Sequence, residues 1–306
     1  MKILKSIDAY RHFGKPIVSS LGFYDGVHLG HQEVLKKVNE YKNQIGGQSV
    51  VITFENHPST VLKPDQPTEL LSSLEHRINL ISDQNIDVLV LLKFTAEFSQ
   101  QTADAFLNQL HAAIPFSHFV LGYDTKLGKD RHGDPEVIGK LEKELSFKLD
   151  YIPEFKLNDE TISSSKIRKL VKSGELKKAE ELLGRKFSIF ADVVQGNGLG
   201  TKMGYPTANL NIEGLCIPPN GVYAVQVICG ETTINGVANL GFAPTVMRDQ
   251  PTQLEVFLFD FYKDLYGKTI EVIFYDYLRP EQKFPDIAAL KTQITLDVKK
   301  AKQLLA

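Results

Sequence analysis

Pro16-Ile17-Val18-Ser19-Ser20-Leu21-Gly22-Phe23-Tyr24-Asp25-Gly26-Val27-His28-Leu29-Gly30-His31-Gln32 opens as a short β-rich apolar run and turns, through three glycines, into a helical pattern that continues to Ile45. A strand over residues 16–23 leading into a helix over 31–45 is the first half of a βαβ unit. The alternation repeats outward from it: 49–54 then 74–84, 87–92 then 102–111, 118–122 then 135–145, with a last strand at 148–151. That rhythm predicts a doubly wound parallel sheet, a Rossmann-like α/β architecture.

The turn at residues 22–31 is also a chemical signal. Free backbone N–H groups at a helix start and the positive end of its dipole favour an anion, and glycines let a nucleotide approach the backbone. Gly22, Asp25 and Gly30 line the turn, and His28 and His31 add two imidazoles. With ATP phosphates there, the histidines can stabilise charge while an incoming phosphate attacks the α-phosphorus and pyrophosphate leaves. A second phosphate-type element follows far downstream: Ser163, Ser164 and Ser165 at a helix start, with Arg168 one turn in. Simple helix capping is the commoner use of such a serine run.

Beyond Ser163, two charged helical patterns at 164–173 and 175–183 read as a connector. From Phe187 onward, short strands at 187–194, 221–228, 232–240, 253–259 and 268–275 are separated by Gly, Pro and Asn. This spacing predicts a small antiparallel barrel. Apolar residues at Ile287, Leu290, Ile294, Val298, Ala301 and Leu305 predict a helix over 285–305 that covers it. The expected domains are residues 1–185 and 186–306.

Composition bounds the function. The 35 basic and 37 acidic side chains leave a formal charge of −2, so neither a nucleic-acid nor a membrane partner is expected. No run reaches the ~18 apolar residues of a membrane span, and the N-terminus lacks a signal-peptide pattern, which points to the cytoplasm. Cys216 and Cys229 are too few for a disulfide framework or a zinc site and read as small buried hydrophobes. Residues 122–130 approach a P-loop with the wrong spacing, and Gly196-Asn197-Gly198-Leu199-Gly200 lacks the last glycine of a dinucleotide fingerprint.

That second near-match opens the strongest constellation in the chain, which continues Thr201-Lys202-Met203-Gly204-Tyr205-Pro206-Thr207-Ala208-Asn209. Gly196, Gly200, Lys202 and Gly204 are candidate phosphate contacts on a glycine-rich flap. Thr207 and Asn209, two apart on a strand and facing the same way, can hold Mg²⁺ between ATP oxygens. Glu255, within Leu254-Glu255-Val256-Phe257, can accept the proton of an attacking hydroxyl.

Taken together, these elements resemble the bacterial bifunctional riboflavin kinase/FMN adenylyltransferase family over essentially the whole chain. The matches fall in order: the turn at 22–32, Thr53-Phe54-Glu55-Asn56-His57-Pro58, residues 162–168, Leu183-Gly184-Arg185, residues 204–209, Asn220-Gly221-Val222-Tyr223, Asn239-Leu240-Gly241, Pro244-Thr245, Leu254-Glu255, Leu265-Tyr266-Gly267-Lys268 and Leu278-Arg279. The resemblance implies a Rossmann-like nucleotidyltransferase domain followed by a riboflavin-kinase β-barrel with a C-terminal helix. It implies ATP as co-substrate, with Thr207 and Asn209 on Mg²⁺ and Glu255 as general base. It puts Arg279 near the flavin, and His57, Pro58 and Asp124 at the flavin side of the first domain. Riboflavin, FMN and ATP would be its small-molecule partners, and a homo-oligomer is compatible with it.

The chain also departs from the family. Its usual Asn after the first glycine is Phe23, its P-H-P is Asn56-His57-Pro58, and its D-F-R-F-G is Asp124-Thr125-Lys126-Leu127-Gly128, which removes two aromatic stacking faces. Ser165 replaces a Thr, and Ala243 replaces an Arg. Two alternatives therefore stand beside the bifunctional enzyme: a riboflavin kinase whose first module is weak, inactive or serves another substrate, and a non-catalytic flavin-sensing regulator.

Overall fold

A computed structural model describes residues 1–12, 14–129, 135–196, 200, 204–242 and 252–306. The chain forms two compact units, Met1–Glu69 with Leu74–Lys166, and Leu70–Ser73 with Ile167–Ala306.

In the first unit the elements follow as β1 (Lys2–Leu4), β2 (Ile17–Leu21), α1 (Leu29–Gln44), β3 (Gln48–Phe54), α2 (Ser59–Leu62), α3 (Leu74–Ser82), β4 (Val88–Leu92), α4 (Ala96–Ser99), α5 (Ala103–Ala113), β5 (His118–Gly122), α6 (Pro135–Leu145) and β6 (Lys148–Ile152). A small hairpin, β7 (Lys156–Leu157) and β8 (Glu160–Thr161), precedes α7 (Ser164–Lys172). The six-stranded sheet has the order β1-β4-β3-β2-β5-β6, and every pairing is parallel. Strand side chains alternate between faces. Ile17, Leu21, Val50, Ile52, Phe119 and Leu121 pack on one side with Phe106, Leu107 and Leu110 of α5. Val18, Val51, Leu89, Leu91 and Val120 pack on the other with Val34, Leu35 and Val38 of α1. The strand order reverses between β2 and β5, the place where a parallel sheet opens a crevice at the carboxyl ends of its strands.

The predicted strands and helices of this half are all present. The edge strand β1 is an addition, too short to carry a periodic signal.

The second unit holds α8 (Leu176–Leu183), β9 (Ser188–Val194), β10 (Thr207–Leu210), β11 (Gly221–Cys229), β12 (Thr232–Phe242), β13 (Thr252–Leu258), β14 (Thr269–Arg279) and α9 (Ile287–Leu304). Gly184, at φ 72°, ends α8 in the left-handed conformation that glycine adopts without a Cβ penalty. The strands close into an antiparallel barrel, β10-β13-β12-β11-β14-β9. Ala301 of α9 is buried with Val222, Ala224, Val237 and Leu278, and Val298 and Leu305 pack beside it, so this part of the helix covers the barrel as its spacing predicts, while Ile287 at its start is exposed. Leu70 joins this unit rather than the sheet around it in sequence: its N–H donates to Gly214 O (2.9 Å), and Cys216 N–H donates to its carbonyl (2.7 Å). Cys216 is buried, whereas Cys229 at the end of β11 is only half-buried.

Candidate active sites

In the first unit, Gly22 N–H still donates to Ile52 O of β3 (3.1 Å), so the turn after β2 starts from a fixed backbone. It then tightens into a 3₁₀ turn at Asp25–Val27, with positive φ at Tyr24 (57°), Gly26 (72°) and Val27 (36°). Only glycine takes that conformation freely, and a tyrosine and a β-branched valine stay there when their surroundings over-determine them. Those surroundings are visible. The Tyr24 ring lies on Gly22, and its hydroxyl pairs with Ser20 Oγ at 2.6 Å. Thr53 Oγ1 donates to Phe23 O at 3.1 Å, and Gln32 Nε2 to Val27 O at 2.9 Å.

His28 is the N-cap of α1; its Nδ1 accepts the His31 N–H at 3.3 Å. The two imidazoles stack with centroids 3.6 Å apart and planes at 16°. Gly30 keeps this stack unobstructed, since a methyl there would crowd the His28 ring at 3.3 Å. Two rings held parallel at a helix N-terminus form a platform suited to an anion. Ser164 Oγ donates to Asp25 O at 3.1 Å, which joins the serine element to the turn, and Ser163 Oγ caps α7 by accepting Lys166 N–H at 3.3 Å. Ser165 is exposed. Arg168 lies on the part of α7 that belongs to the second unit, where its carbonyl accepts from Cys216 Sγ.

His57 follows β3. Its Nδ1 accepts the Ser59 N–H at 3.0 Å and shares a hydrogen bond with Ser59 Oγ at 2.7 Å, and Pro58 stands at the N-cap of α2. Asp124 is exposed just beyond β5, the other neighbour of β2. Three of the departures from the family have packing roles. Phe23 meets His57 edge-to-face at 4.6 Å and carries the Arg77 guanidinium 4.0 Å from its ring centroid. Asn56 pairs both ways with the Phe94 backbone (2.9 and 3.0 Å), tying the ends of β3 and β4 together. Leu127 is buried in the core with Phe106 and Leu107.

In the barrel, strand register places Asn209 of β10, Glu255 of β13 and Asn239 of β12 side by side in one lateral row. Glu255 is half-buried, and burial pushes its carboxyl above the ordinary carboxylate range. Asn209 is 8% exposed, and among the described residues its Oδ1 has no hydrogen-bond partner. A methyl on Gly196 would fall inside the Asn209 amide; one on Gly200 would strike Tyr205 O and lie 3.3 Å from Thr207 Oγ1. The glycines thus let the backbone lie directly against the pair. An orphaned amide oxygen beside a hydroxyl is a hard-oxygen donor set that fits Mg²⁺. A cavity of about 320 Å³ opens beside Thr207, lined also by Pro206, Leu258, Tyr262 and Leu265. Gly204 sits at φ 87°, while Lys202, Ala243, Pro244 and Thr245 fall outside the described residues. Arg279 is engaged by Asp297 of α9, with Nη2 to Oδ2 at 2.8 Å and Nε to both oxygens at 3.0 Å.

Two residues were not among the sequence candidates. Asn239 appears in a matched motif, but its place opposite Glu255 is a matter of register. Arg77 occupies the apolar stripe of α3, between Leu74, Ile78 and Ile81, and a cation in that position is the signal that marks it.

The fold and these sites define a two-module, nucleotide-dependent transferase. A FAD synthetase family model matches residues 11–166, and a riboflavin kinase family model matches 183–305. The bifunctional riboflavin kinase/FMN adenylyltransferase of Listeria monocytogenes is 35% identical over 92% of this chain and 90% of its own length. That of Bacillus subtilis is 36% identical over 93% and 91%. The chain belongs to the bifunctional riboflavin kinase/FMN adenylyltransferase family. It also superposes on a crystal structure titled a macrolide-efflux protein from Streptococcus pneumoniae, with a TM-score of 0.82, 28% identity and 98% of each chain covered. Among its own described residues no helix is long and apolar enough to cross a membrane.

Proposed function

We propose that the barrel transfers the γ-phosphate of ATP to the ribityl 5′-hydroxyl of riboflavin, giving FMN and ADP, and that the sheet unit joins FMN to AMP, giving FAD and pyrophosphate. The observation that carries the kinase reading is the row of Asn209 and Glu255, in which a buried amide oxygen with no hydrogen-bond partner among the described residues stands one strand away from a desolvated carboxylate. Glu255 takes the hydroxyl proton as the oxygen attacks phosphorus. Thr207 Oγ1 and Asn209 Oδ1 would hold Mg²⁺. When bound, that ion neutralises charge on the transferring and leaving phosphate oxygens. Gly196, Gly200, Lys202 and Gly204 are assigned to the ATP phosphates, and the cavity beside Thr207 has a size suited to the rest of the nucleotide. Arg279, held by Asp297, is assigned to the flavin side.

For the second reaction, the stacked His28 and His31 and the α1 N-terminus stabilise charge on the ATP phosphates as the FMN phosphate attacks the α-phosphorus. Gly22, Asp25 and Gly30 shape the turn, and Ser163, Ser164, Ser165 and Arg168 are assigned to the departing pyrophosphate. His57, Pro58 and Asp124 are assigned to FMN. Residues 1–185 and 186–306 are the corresponding functional domains, and we place the enzyme in the cytoplasm. Purified chain with ATP and Mg²⁺, given riboflavin in one reaction and FMN in another, tests both halves. FAD in both is the expected result; FMN from the first and nothing from the second would leave a kinase with a changed first module.

A further inference from the structure

Among the described residues Arg77 is the largest fully buried side chain, 1% exposed, and its guanidinium lies where β2 and β3 end. Nη1 donates to Phe23 O at 3.2 Å, and Nη2 donates to Phe54 O and, at 3.3 Å, to Glu55 O. The planar face rests on the Phe23 ring, 4.0 Å from its centroid. Among the described residues Nε has no hydrogen-bond partner, so the two terminal nitrogens make the whole grip. Burial pushes the guanidinium down to about 10, and the Asp25 charge opposes that shift, so the cation is retained at neutral pH.

A buried cation with so few counter-charges is costly unless hydrogen bonds satisfy it. Here the acceptors are three main-chain carbonyls, two at the end of β3 and one immediately before the strained Tyr24-Asp25-Gly26-Val27 turn. Any turn that directs its N–H groups toward a ligand must leave its carbonyls satisfied on the protein side. Arg77 does this from beneath, and α3, which carries it, packs against the same 3₁₀ turn. The contact with Phe23, which in turn meets His57, extends one support under both histidine-bearing loops.

We propose that Arg77 is a positioning residue for adenylyl transfer: by gripping the carbonyls of Phe23, Phe54 and Glu55 and stacking on Phe23, it fixes the turn that presents His28 and His31 to ATP. The proposal rests on the adenylyltransferase reading of the first unit. Lysine keeps the charge but has neither the fork nor the flat face, so Arg77→Lys separates positioning from charge.

The test uses the full chain, wild type and Arg77→Lys, with Arg77→Met as a second variant. Each preparation is measured for FAD formation from FMN and ATP, for riboflavin phosphorylation, and for amide hydrogen exchange over residues 22–31. In Arg77→Lys, kcat for FAD formation is expected to fall by roughly 10- to 100-fold, the loss that a displacement near 1 Å produces, with KM for ATP and FMN within about threefold. Exchange at 22–31 accelerates, riboflavin phosphorylation stays within about twofold, and Arg77→Met loses at least as much FAD formation as Arg77→Lys. Unchanged kcat and exchange in Arg77→Lys, or equal loss of both activities, overturns the proposal. A wild-type chain that makes no FAD overturns the adenylyltransferase reading instead; the exchange of 22–31 in the variants then decides whether Arg77 holds the turn.

Discussion

Glu255 illustrates how burial alone tunes a residue, since desolvation is the cause of its raised proton affinity. Its folded pKa lies above the unfolded one, so between the two values the native state binds more protons than the unfolded chain. Its contribution to stability therefore falls as pH rises through that window. The base is available only above it. FMN formation should accordingly rise with pH through a value above the ordinary carboxylate range, as a pH–rate profile would read. Glu255→Gln should lower FMN formation by about 100-fold or more and abolish that acid limb, while adenylylation of supplied FMN is kept. His28→Ala should do the reverse, lowering FAD formation from FMN by roughly 100-fold with riboflavin phosphorylation intact. A product assay that found FAD formation unchanged in His28→Ala would remove the histidine turn from the mechanism.

At the scale of elements, α9 is attached to the barrel by more than its thin apolar face. Arg279 at the end of β14 and Asp297 of α9 are both largely buried, and Gln293 Nε2 donates to the same carboxylate at 2.9 Å. Removing one partner of such a pair strands the other charge away from water. Asp297→Ala should therefore cost about 3–5 kcal/mol in urea unfolding, more than its apolar contacts alone account for. Double replacement of Arg279 and Asp297 by apolar residues of similar size should recover most of that loss. The glycine-rich approach to β10 makes a second prediction: Gly196→Ala pushes a methyl into the Asn209 amide, so FMN formation should drop by roughly 10-fold or more with little change in melting temperature.

At the scale of the molecule, each unit has its own hydrophobic core and its own assigned chemistry. FMN is the product of one reaction and the substrate of the other. A mixture of Glu255→Gln and His28→Ala chains should therefore convert riboflavin to FAD, although neither variant does so alone. Chromatography of the mixed reaction checks this, and FMN accumulating without FAD would mean that the two sites must share a chain. The second unit also recruits Leu70–Ser73, where Ser73 Oγ donates to Phe190 O at 2.8 Å.

Much of this was legible in order along the chain. The βα rhythm from Pro16, the short strands after Phe187, the three-to-four spacing of the last helix and the histidine and glycine motifs all report local free energies: propensity, periodicity and backbone permissiveness act within a few residues. What only the tertiary structure decided depends on contacts distant in sequence. Register alone sets Asn239 and Asn209 on either side of Glu255. The joining of Ser164 to Asp25 closes 139 residues of chain. Arg77, a cation on the apolar stripe of α3, turns inward where three strand-end carbonyls accept its hydrogen bonds and Phe23 offers a face, while its neighbour Glu75 stays exposed. Phe23, Asn56 and Leu127 looked like losses from a flavin site and became packing residues once their neighbours were known, because a side chain's role is fixed by what the fold brings against it.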